Sequence, residues 1–109
     1  MQTPPYFAVI FSSLRRELPG DGYGAMADRM EELAREQPGF LGIESARSPD
    51  GLGITISYWA TLEEVAAWKR NTEHLVAQKL GREEWYRWFV LRVARVERAT
   101  EFIRPEDKP

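Results

Sequence analysis

Cysteine is absent from the 109 residues, which excludes disulfides, thiolate metal sites and thiol nucleophiles. Histidine is nearly absent as well. His74 stands alone, and one imidazole supplemented by carboxylates is a poor ligand supply for zinc, so no metal is expected. The chain also lacks a basic excess: 15 Lys and Arg face 17 Asp and Glu, which argues against a general nucleic-acid surface. No apolar run approaches the ~20 residues of a membrane span, and Met-Gln-Thr-Pro-Pro lacks the basic and apolar regions of a secretory leader. A cytoplasmic location is therefore expected, with neither membrane nor nucleic acid as partner. At 43% hydrophobic and 29% charged the composition is that of a folded globule, not a disordered chain. A single domain over 1–109 is expected, flexible at 1–5 and 104–109.

Residues 6–14, aromatic and β-branched after two prolines, read as a first strand. The breakers Leu18-Pro19-Gly20-Asp21-Gly22 follow. Tyr23, Met26, Ala27, Met30, Leu33 and Ala34 then recur at helical spacing, predicting a helix over 23–36 that Gln37-Pro38-Gly39 stops. Strands at 40–47 and 52–59 flank Ser48-Pro49-Asp50-Gly51, a turn in which Pro sets φ and Gly admits a positive φ, so they form a hairpin. Thr61-Leu62-Glu63-Glu64 is a capping box, opening a helix that carries Leu62, Val65, Ala66 and Trp68 inward. A second helical piece is expected from about Glu73 to Leu80, interrupted at Gly81 and resuming through Trp85-Tyr86. A long final strand over 88–99 completes a β-α-β-β-α-β order, the ferredoxin-like α+β plan with a four-stranded antiparallel sheet.

Two strands are apolar on both faces. The first has Phe7, Val9 and Phe11 on one side and Tyr6, Ala8 and Ile10 on the other. The last sets Val90, Ala94 and Val96 against Phe89, Leu91 and Val93. A half-solvated sheet should alternate apolar with polar. These strands are expected to be covered twice, by the helices and by the same face of a second copy, giving an isologous homodimer. The alternative is a bulge that shifts register within one strand.

The segment Tyr58-Trp59-Ala60-Thr61-Leu62-Glu63-Glu64-Val65-Ala66-Ala67-Trp68-Lys69 carries the most specific pattern. Glu73-His74-Leu75, Gln78, Leu80-Gly81-Arg82 and Trp85-Tyr86 continue it, and Arg92-Val93-Ala94-Arg95-Val96-Glu97-Arg98 and Phe102 follow. It resembles the antibiotic-biosynthesis-monooxygenase family, especially its small bacterial members. The resemblance implies a dimeric α+β barrel, two ferredoxin-like sheets face to face. It also implies either oxidation of anthrones or quinols by oxygen without a cofactor, or haem degradation. For the haem branch Trp68 matches the helix tryptophan, but the expected ligating histidine falls near Gln78. The first-strand asparagine has no counterpart, because Asn71 is the one asparagine present. Those departures speak against haem degradation.

His74 is the one side chain whose unperturbed pKa lies near neutrality, and it is the candidate base. Gln78 and Arg82 follow at i+4 and i+8, able to share a face with it and steady a substrate anion. A histidine bordering solvent is the plainer alternative. Trp59, Trp68, Trp85, Trp88, Tyr58 and Tyr86 supply aromatic walls for a flat apolar molecule. Trp68, Tyr58 and Phe11 are the expected ligand contacts, while Trp85 and Trp88 are expected to fill the core. Ser12 and Ser13 lack triad partners, and Gly20, Gly22 and Gly24 match no phosphate-binding fingerprint. A basic-glycine-aromatic RNA-binding stretch is missing from Ile54-Thr55-Ile56-Ser57. The expected activity is a cofactor-independent monooxygenase acting on an electron-rich aromatic or quinol. The alternatives are a non-enzymatic binder of a small apolar ligand or a stress-related dimer, and lastly a haem-binding protein.

Overall fold

The computed structural model describes residues 2–16, 23–77 and 85–109, with side chains described outside 72–77. Chain order is β1 (Tyr6–Arg15), α1 (Tyr23–Glu36), β2 (Phe40–Arg47), β3 (Leu52–Trp59), α2 (Leu62–Ala77) and β4 (Tyr86–Val96). The strands form one antiparallel sheet in the order β2-β3-β1-β4, the ferredoxin-like α+β arrangement.

Local chemistry sets the boundaries. α1 ends where Gln37 N–H reaches back to Ala34 O at 3.1 Å and Phe40 N–H to Gln37 O at 3.3 Å. Gly39 makes this exit possible: its φ is +78°, and a Cβ there would run into the Glu64 carboxylate. The hairpin closes through Gly51 N–H to Ser48 O at 3.0 Å, with Gly51 at φ +94°. Half of the capping box forms, since Thr61 Oγ1 accepts from Glu64 N–H at 3.2 Å. The Glu64 carboxylate instead turns onto Gly39, where its Oε2 is buried without a hydrogen-bond partner.

Three expectations change. α2 is one continuous helix over Leu62–Ala77, with no glycine or proline inside it to interrupt the backbone ladder, so a separate piece starting near Glu73 does not arise. Only part of its expected apolar stripe is covered: Val65 and Trp68 are buried, whereas Leu62 and Ala66 are exposed. Tyr86 belongs to β4 and pairs with Arg15 across a register shift, and the strand ends at Val96, not residue 99.

Strand parity divides the sheet. Phe7, Val9 and Phe11 of β1 lie across from Trp59, Ser57 and Thr55 of β3. This is the face the helices cover. Val9, Ala34, Trp59, Val65 and Trp68 form the buried cluster, with Phe7, Met30, Leu33, Phe40, Ile43 and Leu91 packed against it. Trp59, 0% exposed, stacks on Trp68 at 5.4 Å and donates its Nε1–H to Ser57 Oγ at 2.9 Å. The opposite face carries the even-numbered apolar residues, among them the exposed Leu52, Ile54, Trp88 and Val90. Trp85 is buried as expected. Trp88 is not: register sets it across from Leu14 on the helix-free face, where it is 43% exposed.

Candidate functional site

A cavity of about 300 Å³ opens between α1, Trp68 of α2 and the helix-covered face of the sheet. Its floor follows from strand parity. Val9 and Phe11 come from β1, Thr55 and Ser57 from β3, Ile43 and Ser45 from β2, and Leu91 from β4. α1 contributes Tyr23, Ala27 and Met30, together with the exposed Asp28 and Glu31 that follow the last two in sequence. Trp68 forms the α2 wall. Its indole is 4% exposed and is braced from behind by the buried Trp59 ring. The lining is thus a flat aromatic surface, aliphatic floor residues, a few hydroxyls and the carboxylates of Asp28, Glu31 and Glu44, a mainly apolar site with a few polar groups as small-molecule pockets have.

One end of the cavity is polar in a different way. Tyr86 lines it and is hydrogen-bonded to Tyr23. Burial pushes the Tyr86 phenol well above its usual range and the Tyr23 hydrogen bond adds to this, while Arg47 and Arg15 pull the other way. Arg47 donates from Nη2 to Tyr23 Oη at 2.6 Å and from Nη1 to Gly51 O at 2.6 Å, and Arg15 lies 4.0 Å over the Tyr23 ring. Tyr23 and Tyr86 meet edge to face at 5.8 Å, and Tyr86 touches Phe11 at 5.4 Å. Two phenols framed by two guanidiniums therefore close the end of the pocket near the hairpin.

The structure brings together Trp68 and Phe11, both expected contacts, in this lining. Tyr58 sits elsewhere. Adjacent to Trp59 in a strand, it points to the helix-free face, where its hydroxyl donates to Glu44 Oε1 at 2.5 Å and its ring meets Tyr6 edge-on. Glu44 is the first cause of a Tyr58 pKa pushed up to about 12, with burial second. The backbone of His74 lies in α2, but its side chain is outside the described residues, as are Gln78 and Arg82 altogether. Tyr23 was legible as the first apolar position of α1, yet nothing in its spacing marked it as a pocket residue. Among the described residues, no group of three or more histidine and carboxylate side chains could hold a metal ion. Among them, too, no helix is long and apolar enough to cross a membrane.

Residues 21–80 match the antibiotic biosynthesis monooxygenase family. The uncharacterized protein YqjZ of Bacillus subtilis (strain 168) is 50% identical over 99 residues, covering 91% of this chain and 86% of that protein. Among solved structures, protein SO0527 of Shewanella oneidensis has a TM-score of 0.69 at 13% identity, covering 86% of this chain and 93% of its own. SnoaB, a cofactor-independent oxygenase from Streptomyces nogalater, has a TM-score of 0.63 at 12% identity, covering 94% and 99%. At those identities the structural likeness is one of fold.

Proposed function

Because the chain belongs to the antibiotic biosynthesis monooxygenase family, we propose that its pocket binds a small electron-rich aromatic, a phenol or quinol, which molecular oxygen oxidises there without a cofactor. The observation that carries this reading is the pocket wall: a buried Trp68, braced by Trp59, facing the apolar floor of Val9, Phe11 and Leu91. Such a surface accepts a flat ring by offset stacking. SnoaB, which shares the fold, is a cofactor-independent oxygenase.

The chemistry asks little of the protein. Loss of a proton makes the substrate an anion rich enough in electrons to reduce oxygen directly. A ring carbon then gains one oxygen atom, the substrate gives up two hydrogens, one from that carbon and one from its hydroxyl, and these leave with the second oxygen atom as water. The chain's task is to bind and orient the ring, take the proton and exclude bulk water. In this reading His74, on the same helix as Trp68, takes the proton, and Gln78 and Arg82 steady the anion. Tyr23 and Tyr86 hold the substrate's oxygen-bearing end, while the homodimer covers the helix-free face. Haem degradation is not part of it, given Gln78 where a histidine would be needed and no asparagine on β1.

Oxygen uptake over a panel of anthrones, quinols and catechols tests the reading, with chelator present and no flavin added. Turnover is expected for at least one class. His74→Ala should lower it by roughly a hundred- to ten-thousand-fold, the usual value of general-base assistance. Turnover unchanged in His74→Ala would remove His74 from the mechanism. A second reading, a binding module without chemistry, is favoured by one observation: among the described lining residues the ionisable side chains are carboxylates and phenols, none of which titrates near neutrality when unperturbed. Ligand-dependent quenching of tryptophan fluorescence with no oxygen uptake from any panel member would select it.

A further inference from the structure

The helix-free face of the sheet is apolar, but it is not featureless. Its paired rows hold two charges, and both fall in the same row. Glu44 of β2 pairs with Ile56 of β3, Ile56 with Ile10 of β1, and Ile10 with Arg92 of β4. One row therefore reads Glu44, Ile56, Ile10, Arg92 from one edge of the sheet to the other. The neighbouring rows hold Ala46, Ile54, Ser12 and Val90 on one side and Gly42, Tyr58, Ala8 and Ala94 on the other. Arg92 is exposed and makes no ion pair with any described residue. Glu44 is exposed too, with one oxygen taken up by the Tyr58 hydroxyl.

We infer that Glu44 and Arg92 form a reciprocal pair of ion bridges with a second copy of this chain, and that they fix which way the two sheets face. This rests on the homodimer proposed above and goes beyond it. A two-fold axis between two stacked sheets has two simple directions. With the axis across the strands, β2 lies over β2 and β4 over β4, so Glu44 meets Glu44 of the partner subunit and Arg92 meets Arg92 of the partner subunit. With the axis along the strands, the edges exchange. Glu44 then lies over Arg92 of the partner subunit, and Arg92 over Glu44 of the partner subunit. Stacked sheets stand about 10 Å apart, a gap that a glutamate and an arginine span together. Both orientations bury the same apolar centre around Ile10 and Ile56. Charge separates them: two like-charge meetings in one case, two opposite-charge meetings in the other. Tyr58 supports the pair by holding the Glu44 carboxylate in place through its hydroxyl.

Charge reversal in the full chain tests this by sedimentation velocity at micromolar concentration, with circular dichroism to verify folding. Wild type is expected at twice 12.6 kDa. Glu44→Arg and Arg92→Glu, each alone, should raise the dimer dissociation constant by at least about a hundredfold, because two like-charge contacts replace two ion pairs. An equimolar mixture of the two variants should restore dimers that native mass spectrometry resolves as mixed, and the double variant should dimerise with itself. The pairing is overturned if the single variants dimerise as tightly as wild type, or if they are monomers that do not pair on mixing; neither result touches the homodimer itself. A wild-type monomer would overturn both.

Discussion

Replacing Trp68 with alanine removes a side chain that belongs to the core and the pocket at once. The indole is 4% exposed, stacks on Trp59 at 5.4 Å with an interplanar angle of 27°, and presents its other surface to the 300 Å³ cavity. A fully buried tryptophan replaced by alanine costs about 3–5 kcal/mol. The surface facing the cavity already lacks close protein contacts, so the low end applies, about 3 kcal/mol, of which roughly 1 kcal/mol is the lost ring pair. With a urea dependence of about 2 kcal/mol per molar, the unfolding midpoint should fall by about 1.5 M. Urea titration followed by circular dichroism measures this, at fixed protein concentration because the proposed homodimer would contribute to apparent stability. Trp68→Phe keeps an apolar ring and should recover about half of the loss, yet bind aromatic ligands more weakly than wild type. A midpoint for Trp68→Ala within experimental error of wild type would refute the packing described here and would make Trp68 a surface residue of an open groove.

Ser57→Ala leaves the buried Trp59 Nε1–H without its acceptor and should cost about 1–3 kcal/mol in the same titration; no loss would mean that the indole finds another partner. Tyr58 makes a pH-dependent prediction. Its folded pKa of about 12 exceeds the ordinary 10.0, so its contribution is fully present below pH 10 and lost as pH rises through 12. Near-ultraviolet phenolate titration should resolve this late step, which Tyr58→Phe should delete and Glu44→Gln should move toward 10.0.

How far the sequence could be read depended on which physical signal each residue carried. α1 is delimited on both sides by breakers, and its bounds at Tyr23 and Glu36 were legible for that reason. Tyr58 and Trp59 were not separable by pattern, because the alternating apolar row of β3, Leu52, Ile54, Ile56 and Tyr58, does not say which parity meets the helices. Trp59 took the core and Tyr58 the opposite face. The same ambiguity misassigned Trp88 to the interior. The separate piece expected from Glu73 is part of α2, because a helix with no proline or glycine runs on when one face is packed. Trp68 was found through resemblance and spacing together. The Tyr23–Tyr86–Arg47 cluster joins three elements distant in the chain, so local pattern held no trace of it.

A crystal structure with a bound quinol or anthrone, grown without added flavin or metal, tests most directly whether the cavity is the working site. The account predicts ring density against the Trp68 indole, between Phe11 and Leu91, with an oxygen substituent directed at Tyr23 and Tyr86. A ligand seated on the helix-free face, or a cavity left empty at saturating ligand while turnover persists in solution, would contradict it.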